Sequence, residues 1–439
     1  MYMSGRYLLP IWSSFSTSGI GRFGIYCFAF FAFLGTAGAN IGLLIAFICT
    51  CYTVLLNRDR HLSDSIYILV NIIILYFILR TILSVYEDPN LGKMQLVDCL
   101  PWLLLWFPMV SYWLLGNAVK ITLSLLFLSA TGLFFKTLSF LLFDTKSIIK
   151  AFIDTQPYVF GGTASGVALI YMIHILGLVI FFPRALKRIN HPNFRVVFII
   201  SYAILILIFS QALILAQSRG GWISLGIVLP VCAIIFYWPK LSFKFLSRKY
   251  ILLGIVISIT LASTITYSNK NILLKRFNAD HETYAAIFNG DFNNIPYSSL
   301  GYRVLLIMHG VKKWLEKPML GWGPMNSKHL IQQSEDQNLH SMAHYHNSVI
   351  EVLVHYGALG LLLVGLLVVL MILKLYQSNR AGFIPSDLYI FLLGTFALMF
   401  IWGMGSSRII HVDWRFLWLL LSGTSYALLQ PQNGLSTHR

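Results

Sequence analysis

Long apolar runs alternate with short polar segments along almost the whole chain. A helix needs about 20 apolar residues to cross a bilayer, and runs of about that length recur. They lie near residues 22–36, 38–56, 65–83, 98–116, 120–142, 163–183, 195–215, 219–238, 250–267, 347–374, 384–404 and 413–430. The pattern predicts an all-α polytopic membrane protein with about twelve transmembrane helices. The first two runs are close together, and Gly35 to Asn40 are predicted to form the turn between them.

A long polar segment, residues 268–346, divides this pattern into three parts. Residues 1–267 hold the first nine predicted helices, and residues 347–439 hold the last three with a short tail. Within the segment, loops are predicted where asparagine and glycine recur, at Asn271, Asn278, Asn289, Gly290, Asp291, Asn293 and Asn294. An amphipathic helix is then predicted from about Leu300 to Trp314, ended by Glu316-Lys317-Pro318.

The short loops differ in their lysine and arginine content, which predicts the orientation. One set of alternate loops carries most of these cations: Arg58, Arg60, Lys120, Arg184, Lys187, Arg188, Arg195, Lys240, Lys244, Arg248, Lys249, Lys374 and Arg380. Cation-rich short loops stay in the cytoplasm. With an even number of spans, both termini are therefore predicted to be cytoplasmic and residues 268–346 to lie outside. No cleavable signal peptide is predicted, because the polar start through Arg22 leads into a full-length span.

Composition supports the same class of protein. Of 439 residues, 57% are hydrophobic and 11% are charged, whereas soluble domains carry about 25% charged residues. The net charge of +16 mostly reflects the topological signal, so no nucleic-acid partner is predicted. The five cysteines all lie in or beside apolar runs (Cys27, Cys49, Cys51, Cys99 and Cys232), which predicts buried thiols rather than disulfides or a metal site.

Several cations lie at the outer ends of predicted helices, where membrane insertion does not explain them. They are Arg80, Lys93, Lys146, Lys150, Arg219, Arg408 and Arg415. One interpretation is that each side chain reaches for lipid headgroups. The other, for the set as a whole, is an outer cavity that binds an anion.

Two of the local motifs carry an arginine. Ser218-Arg219-Gly220-Gly221 joins two predicted helices, so a guanidinium lies beside a helix N-terminus, which itself favours anions. Arg303 begins the predicted amphipathic helix. A helix–helix turn and a solvated surface arginine are the plain structural interpretations of these two motifs.

Two further motifs flank the return of the chain to the membrane. Gly321-Trp322-Gly323-Pro324 lacks the lysine and hydroxyl of a phosphate-binding P-loop and is interpreted as a structural turn. His344-Tyr345-His346-Asn347 places histidines at the membrane boundary. A histidine there suits a general base for a hydroxyl nucleophile, although a polar helix cap is the structural alternative. No metal is predicted, because no carboxylate or cysteine completes a set of ligands nearby.

Together these motifs resemble the signature blocks of the O-antigen ligase superfamily. The ligase pattern of histidine, then Asn, Ser or Gln, then nine residues and Gly-x-x-Gly matches His346-Asn347, nine residues, and Gly357-Ala358-Leu359-Gly360. Further similarity lies in Ser218-Arg219-Gly220-Gly221, in Arg303, in Lys317 to Gly323, and in the block from Phe160 to Gly166.

The resemblance implies a GT-C-like, metal-independent and inverting glycosyltransferase of the bacterial inner membrane, without a cofactor. Such enzymes take a glycan from an undecaprenyl pyrophosphate donor on the periplasmic face, and the ligases join it to a sugar hydroxyl of lipid A-core. In that reaction Arg219 and Arg303 are predicted to stabilise the leaving pyrophosphate, with Arg80, Arg408 and Arg415 as helpers.

A direct displacement at the anomeric carbon also needs a base that makes the acceptor hydroxyl more nucleophilic. His346 is predicted to be the base, with His344 as the alternative. Asn347 is predicted to orient His346 or to cap the helix that follows it.

Three other functions remain open from the sequence. An O-antigen polymerase uses the same donor, but the complete histidine–glycine pattern favours a ligase. A protein O-oligosaccharyltransferase commonly carries an additional C-terminal soluble region, whereas this chain stops soon after its last span at Arg439. A transporter or flippase for an anionic lipid predicts several charged residues near the bilayer midplane. The nearest candidates for such charges are Lys136, His174 and Glu351.

Overall fold

The computed structural model describes residues 17–56, 64–87, 106–241, 263, 266–324, 326–406 and 411–430, and all regular structure within these ranges is helical. The described α-helices are α1 (Thr17–Phe31), α2 (Thr36–Leu56), α3 (Ser65–Glu87), α4 (Pro108–Tyr112), α5 (Ala118–Phe143), α6 (Thr145–Ile153), α7 (Ala164–Lys187), α8 (Pro192–Leu215), α9 (Arg219–Leu241), α10 (Lys270–Asn278), α11 (His281–Phe288), α12 (Ser299–Glu316), α13 (Ser327–Gln332), α14 (Ser348–Arg380), α15 (Ser386–Gly403) and α16 (Val412–Leu429). One turn of 3-10 helix, Gln337–Leu339, lies between α13 and α14.

Eight helices of the described ranges are long and apolar enough to cross a membrane: α2, α3, α5, α7, α8, α9, α14 and α15. They coincide with eight of the predicted apolar runs, which confirms a polytopic all-α membrane protein. α1 is a shorter apolar helix, and α16 occupies the last predicted run. The total of about twelve stays a prediction, because most of the runs 98–116 and 250–267 lies outside the described residues.

Two predicted boundaries are wrong. The chain turns at residues 32–35, so Thr36 to Asn40 already belong to α2 instead of forming the turn. Gly24 of α1 and Gly42 of α2 each face backbone of the other helix, and small residues at such crossings let helix backbones approach closely. In the described part of the run 98–116, α4 gives way to turns up to Gly116, whose φ of 89° ends any continuous helix.

Helix α7 is the centre of the membrane-embedded part. Every residue from Gly166 to Leu176 is buried, since α8, α9, α15 and α16 all pack against it. A helix that is apolar on every side must be surrounded by other elements. Thr163 caps its first turn by accepting a hydrogen bond from Gly166 N.

The polar segment 268–346 is largely helical in its described residues. Asn271 and Asn278 lie within α10, against the prediction of a loop, because burial of Ile272 against the main core outweighs the weak local preference of asparagine. Residues 289–294 do form turns. The amphipathic helix is confirmed as α12, capped by Ser298 and followed by Pro318.

A second apolar core holds this segment on the membrane-embedded part. Leu306 of α12, Ile331 of α13, and Ile350 and Val354 of α14 pack around the fully buried Tyr345. The core fixes α12 beside the start of α14. Two of the predicted site motifs, at Arg303 and at His344 to Asn347, therefore lie on elements that touch.

Candidate functional site

A tight turn before α9 brings the first arginine into position. Gln217 has a positive φ of 53°, which reverses the chain between α8 and α9 so that α9 begins at Arg219. The Arg219 side chain is buried, donates a hydrogen bond to Arg276 O at 2.9 Å and forms an ion pair with Asp280. Helices α9 and α10 are thus joined through this one guanidinium.

A second arginine joins the same turn from α10. Arg276 Nε donates to Gln217 Oε1 at 2.7 Å. Burial first, and then the neighbouring Arg219, lower the pKa of Arg276. Arginine nevertheless keeps its proton at physiological pH, so the two positive charges stand close together.

The third arginine, Arg303, directly follows the first turn of α12. Asp280 helps to position this turn, because its Oδ1 accepts a hydrogen bond from Leu300 N at 3.3 Å. Burial, followed by the positive charge of Arg219, lowers the pKa of Arg303, while Asp280 raises it. The Arg303 guanidinium forms no hydrogen bond or ion pair with the part of the chain that the structure describes.

Arg219, Arg276, Arg303 and Asp280 together form the arginine cluster. Three guanidinium groups against one carboxylate leave two positive charges in a partly buried site. Guanidinium binds phosphate oxygens in a two-pronged geometry, and a buried excess of positive charge is stabilised by an anion. The arginine cluster is therefore chemically suited to a phosphate or pyrophosphate group.

The predicted histidines form a second group at the start of α14, with ring centroids of His344 and His346 4.1 Å apart. His411, before α16, lies 6.5 Å from His344, and these three residues are the histidine cluster. His346 has a positive φ of 52°, an unusual backbone conformation that occurs frequently at functional sites.

Asn347 fixes the histidine cluster to the membrane-embedded part. Its Oδ1 caps α14 by accepting hydrogen bonds from Val349 N and Ile350 N, and its Nδ2 donates to Met404 O at 2.9 Å. Ser348 Oγ donates to Ser406 O at 2.8 Å. The geometry thus gives Asn347 a capping role, which is one of the two roles that the sequence left open.

A buried network of hydrogen bonds, formed by Glu351, Ser327 and His355, contacts the segment that carries His344 and His346. Glu351 Oε2 accepts a hydrogen bond from Tyr345 N at 3.0 Å, between the two histidines. Glu351 Oε1 accepts from Ser327 Oγ at 2.8 Å, and His355 Nε2 lies 2.8 Å from the same hydroxyl. Because the serine has one proton to donate, its bond to Glu351 requires His355 Nε2–H to donate to the serine oxygen.

Helix α12 connects the two clusters. Arg303 belongs to the arginine cluster, and the His309 ring stacks on Tyr345 with 5.8 Å between ring centroids. These positions are six residues apart, which corresponds to a rise of about 9 Å along the helix. One helix therefore connects the arginine cluster to the segment that carries His344 and His346.

The Gly-Trp-Gly turn docks on a kink in α14. Trp322 N and Gly323 N donate to the carbonyls of Val354 and His355, at 2.7 and 2.9 Å. The kink lies at Gly357, whose φ of 65° leaves the helical region. This is the first glycine of the Gly-x-x-Gly pattern. The turn was predicted to be structural, and these contacts confirm that it shapes the fold.

Arg80 holds the same turn from α3. Its guanidinium donates to Leu320 O at 2.9 Å, to Gly321 O at 2.7 Å and to Glu87 at 3.2 Å. The side chain is buried, and its Nη1 has no hydrogen-bond partner among the described residues. These contacts give Arg80 a structural task, and the predicted anion-binding role stays a prediction.

Of the two remaining predicted arginines, Arg408 and Arg415, the structure describes Arg415 alone. Arg415 lies one turn after His411, and its buried Nε has no hydrogen-bond partner among the described residues. Arg408 lies outside the described residues. The binding roles of both arginines stay predictions.

Sequence reasoning missed Arg276, Asp280 and His411. Arg276 stands with Lys275 in the outer segment, where cations run against the positive-inside trend, and that signal was available. Asp280 and His411 had no local motif to mark them, since their partners lie far away in the chain. Within the described ranges no group of three or more His, Cys, Asp or Glu side chains is arranged to hold a metal ion.

Comparison with known proteins adds one match. Residues 203–365 match a protein family described as O-antigen ligase. The matched region contains the arginine cluster, the Gly-Trp-Gly turn, His344, His346, Asn347 and the Gly-x-x-Gly pattern. A search of curated proteins gives no match.

Proposed function

The chain belongs to the O-antigen ligase family, and from this premise we propose that it transfers a glycan from undecaprenyl pyrophosphate to a sugar hydroxyl of lipid A-core. The observation that carries the proposal is that α12 connects the two clusters: it contributes Arg303 to the arginine cluster, and its His309 stacks on Tyr345, between His344 and His346. The first group suits a pyrophosphate leaving group, and the second suits a base.

The proposed reaction is a direct displacement with inversion. The acceptor hydroxyl oxygen attacks the anomeric carbon of the donor sugar, and the bond from that carbon to the pyrophosphate oxygen breaks. His346 takes the proton of the hydroxyl, with His344 as the alternative base, and the pyrophosphate leaves with its carrier lipid. General base catalysis typically contributes about 10²- to 10⁴-fold.

The arginine cluster would stabilise the charge that develops on the leaving pyrophosphate. Arg303 is the member that has no partner in the described chain, so it is the natural first ligand of a phosphate oxygen. Arg219 begins α9, and the free amides of that helix end add partial positive charge. Two net positive charges supply the role that a metal ion has in other phosphate-releasing enzymes, so we propose a metal-independent, GT-C-like transferase.

The proposed setting is the bacterial inner membrane. Both termini would lie in the cytoplasm, and the segment 268–346 with both clusters would face the periplasm. The support is the distribution of lysine and arginine over the short loops.

The test is lipopolysaccharide profiling in a bacterium that lacks its own ligase but still makes carrier-linked O-antigen. We expect the wild-type chain to restore the ladder of O-antigen on lipid A-core, and His346→Ala to abolish it at equal expression. His191→Ala is the matched control, because His191 is exposed at the far end of α8 and makes no capping hydrogen bond.

Other outcomes would point to the other functions. If the wild-type chain lengthens the carrier-linked glycan without decorating lipid A-core, it is a polymerase and the ligase proposal is wrong. If glycan appears on proteins instead, the acceptor is wrong, whereas the donor and the site remain.

A further inference from the structure

A large cavity lies in the membrane-embedded part, away from both clusters. Its volume is about 1440 Å³, and its walls come from α1, α5, α7, α8, α15 and α16. No member of the arginine cluster or of the histidine cluster lines it. The proposed glycosyl transfer therefore does not involve this cavity.

The cavity has the shape and surface of a groove for hydrocarbon. Its lining is mostly aromatic and aliphatic, as at Phe127, Phe134, Ile173 and Leu205. The lining positions on α5 run from Val119 to Phe134, which is about 22 Å of helix. That length approaches the thickness of the bilayer hydrocarbon, about 30 Å. A lipid acyl chain fits such a groove in length and in polarity.

The charged residues that the structure describes in the lining are all basic and gather at one end. They are Lys120 in the first turn of α5, Arg184 near the end of α7, and Arg188 just after it, with no aspartate or glutamate among the described lining residues. Arg184 is bound to Asp387 by hydrogen bonds of 2.5 and 2.6 Å. Lys120 and Arg188 are both exposed, so they present positive charge at the mouth of an apolar groove.

This basic end is remote from the proposed reaction. It lies at the C-terminal end of α7, whereas the N-terminal end of α7 lies against Asp413, in the first turn of α16 after His411. α7 is 24 residues long, or about 36 Å. The cavity therefore places its cations at the membrane face opposite the histidine cluster.

We propose that this cavity binds an anionic glycerophospholipid, with its acyl chains in the groove and its phosphate at Lys120 and Arg188. A zwitterionic lipid fits less well, because the described residues of the lining offer no carboxylate for its ammonium group. The carrier lipid of the proposed donor fits less well too, since its pyrophosphate is assigned to the arginine cluster at the other face. The bound lipid would fill the space between α5 and α8.

The test is native mass spectrometry of the full chain, stripped of lipid in mild detergent and titrated with phosphatidylglycerol, phosphatidylethanolamine or undecaprenyl phosphate. We expect phosphatidylglycerol to bind best to the wild type. The double variant Lys120→Gln with Arg188→Gln should bind it about 10- to 30-fold more weakly, the loss expected for two cations near a lipid surface.

Two further variants separate this site from general surface charge. Lys312→Gln with Lys328→Gln removes two exposed cations of the segment 268–346 and should leave the affinity unchanged. Ala130→Trp places a large ring in the lining and should weaken binding without any change of charge.

Three results would overturn the proposal. Equal binding of phosphatidylglycerol and phosphatidylethanolamine would show that the cations do not select the headgroup. Unchanged affinity in the Lys120/Arg188 double variant would place the lipid elsewhere. Stronger binding of undecaprenyl phosphate, lost in that same variant, would make the cavity a carrier-lipid site.

Discussion

The three arginines of the arginine cluster differ in the hydrogen bonds and ion pairs that they make within the protein. Arg219 holds Asp280 and the Arg276 carbonyl, and Arg276 holds Gln217. Arg303 has no such partner among the described residues, although the charges of Arg219 and Asp280 both shift its pKa. Replacement of Arg219 or Arg276 would therefore disturb the fold and binding together, whereas replacement of Arg303 tests binding more directly.

Arg303→Lys should reduce the rate of glycan transfer by at least tenfold in membranes with a defined donor and acceptor. Lysine keeps the charge but loses the two-pronged geometry toward phosphate, and tenfold corresponds to about 1.4 kcal/mol. Arg303→Ala should be worse still. Lys312→Ala, an exposed cation on the same helix, should leave the rate unchanged. A rate for Arg303→Lys equal to wild type would remove Arg303 from the reaction.

At the scale of elements, the start and end of α12 follow from local signals. Ser298 caps its first turn and Pro318 follows its last, and both are visible in the sequence. The docking of the Gly-Trp-Gly turn on α14 is not visible there, because Trp322 N and Val354 O are brought together only by packing. The kink at Gly357 is the element that makes this docking possible.

Gly357→Ala should destabilise the protein by about 1–3 kcal/mol, because a side chain at a positive φ is strained. Its β-carbon would also meet the carbonyl of Met319. Gly365→Ala is the control in the same helix, since open space surrounds that position, and there alanine favours the helix by about 0.5–1 kcal/mol. Thermal unfolding of the purified protein measures both. Equal stability of the two variants would contradict a structural role for the kink.

Glu351→Gln should slow transfer while the protein still folds. The amide oxygen can still accept from Tyr345 N, but the amide nitrogen cannot accept from Ser327, so the segment that carries His344 and His346 loses one of its supports. We expect kcat to fall several-fold with a smaller change in KM, since substrate contacts remain. Glu316→Gln, an exposed carboxylate at the end of α12, is the control. If kcat is unaffected, the network serves packing alone.

At the scale of the whole molecule, the sequence predicted the helices themselves better than it predicted which of them pack together. The apolar runs placed eight spanning helices, and the motifs placed Arg219, Arg303, His346 and Asn347 on helix ends. Asp280 and His411 were missed because each acquires its importance from residues distant in the chain, Arg219 and His344. A single sequence contains the periodicity of each helix but not the choice of which helices pack together.

The orientation of the whole molecule rests on the distribution of cations, and thiol labelling can test it directly. Glu335→Cys puts an exposed thiol between α13 and α14, and Ala381→Cys puts one in the turn between α14 and α15, where the backbone is unstrained. After the kink at Gly357, the remaining part of α14, residues 358–380, runs for about 35 Å, which is enough to cross the bilayer hydrocarbon of about 30 Å. The two thiols should therefore lie on opposite faces.

A membrane-impermeant maleimide applied to spheroplasts should label Glu335→Cys at once and Ala381→Cys only after lysis. The wild-type chain, with its five cysteines, gives the background for both variants. The reverse order of labelling would place the arginine and histidine clusters in the cytoplasm. There the proposed donor, with its glycan on the periplasmic side, could not reach them, so the orientation and the proposed reaction would be wrong together.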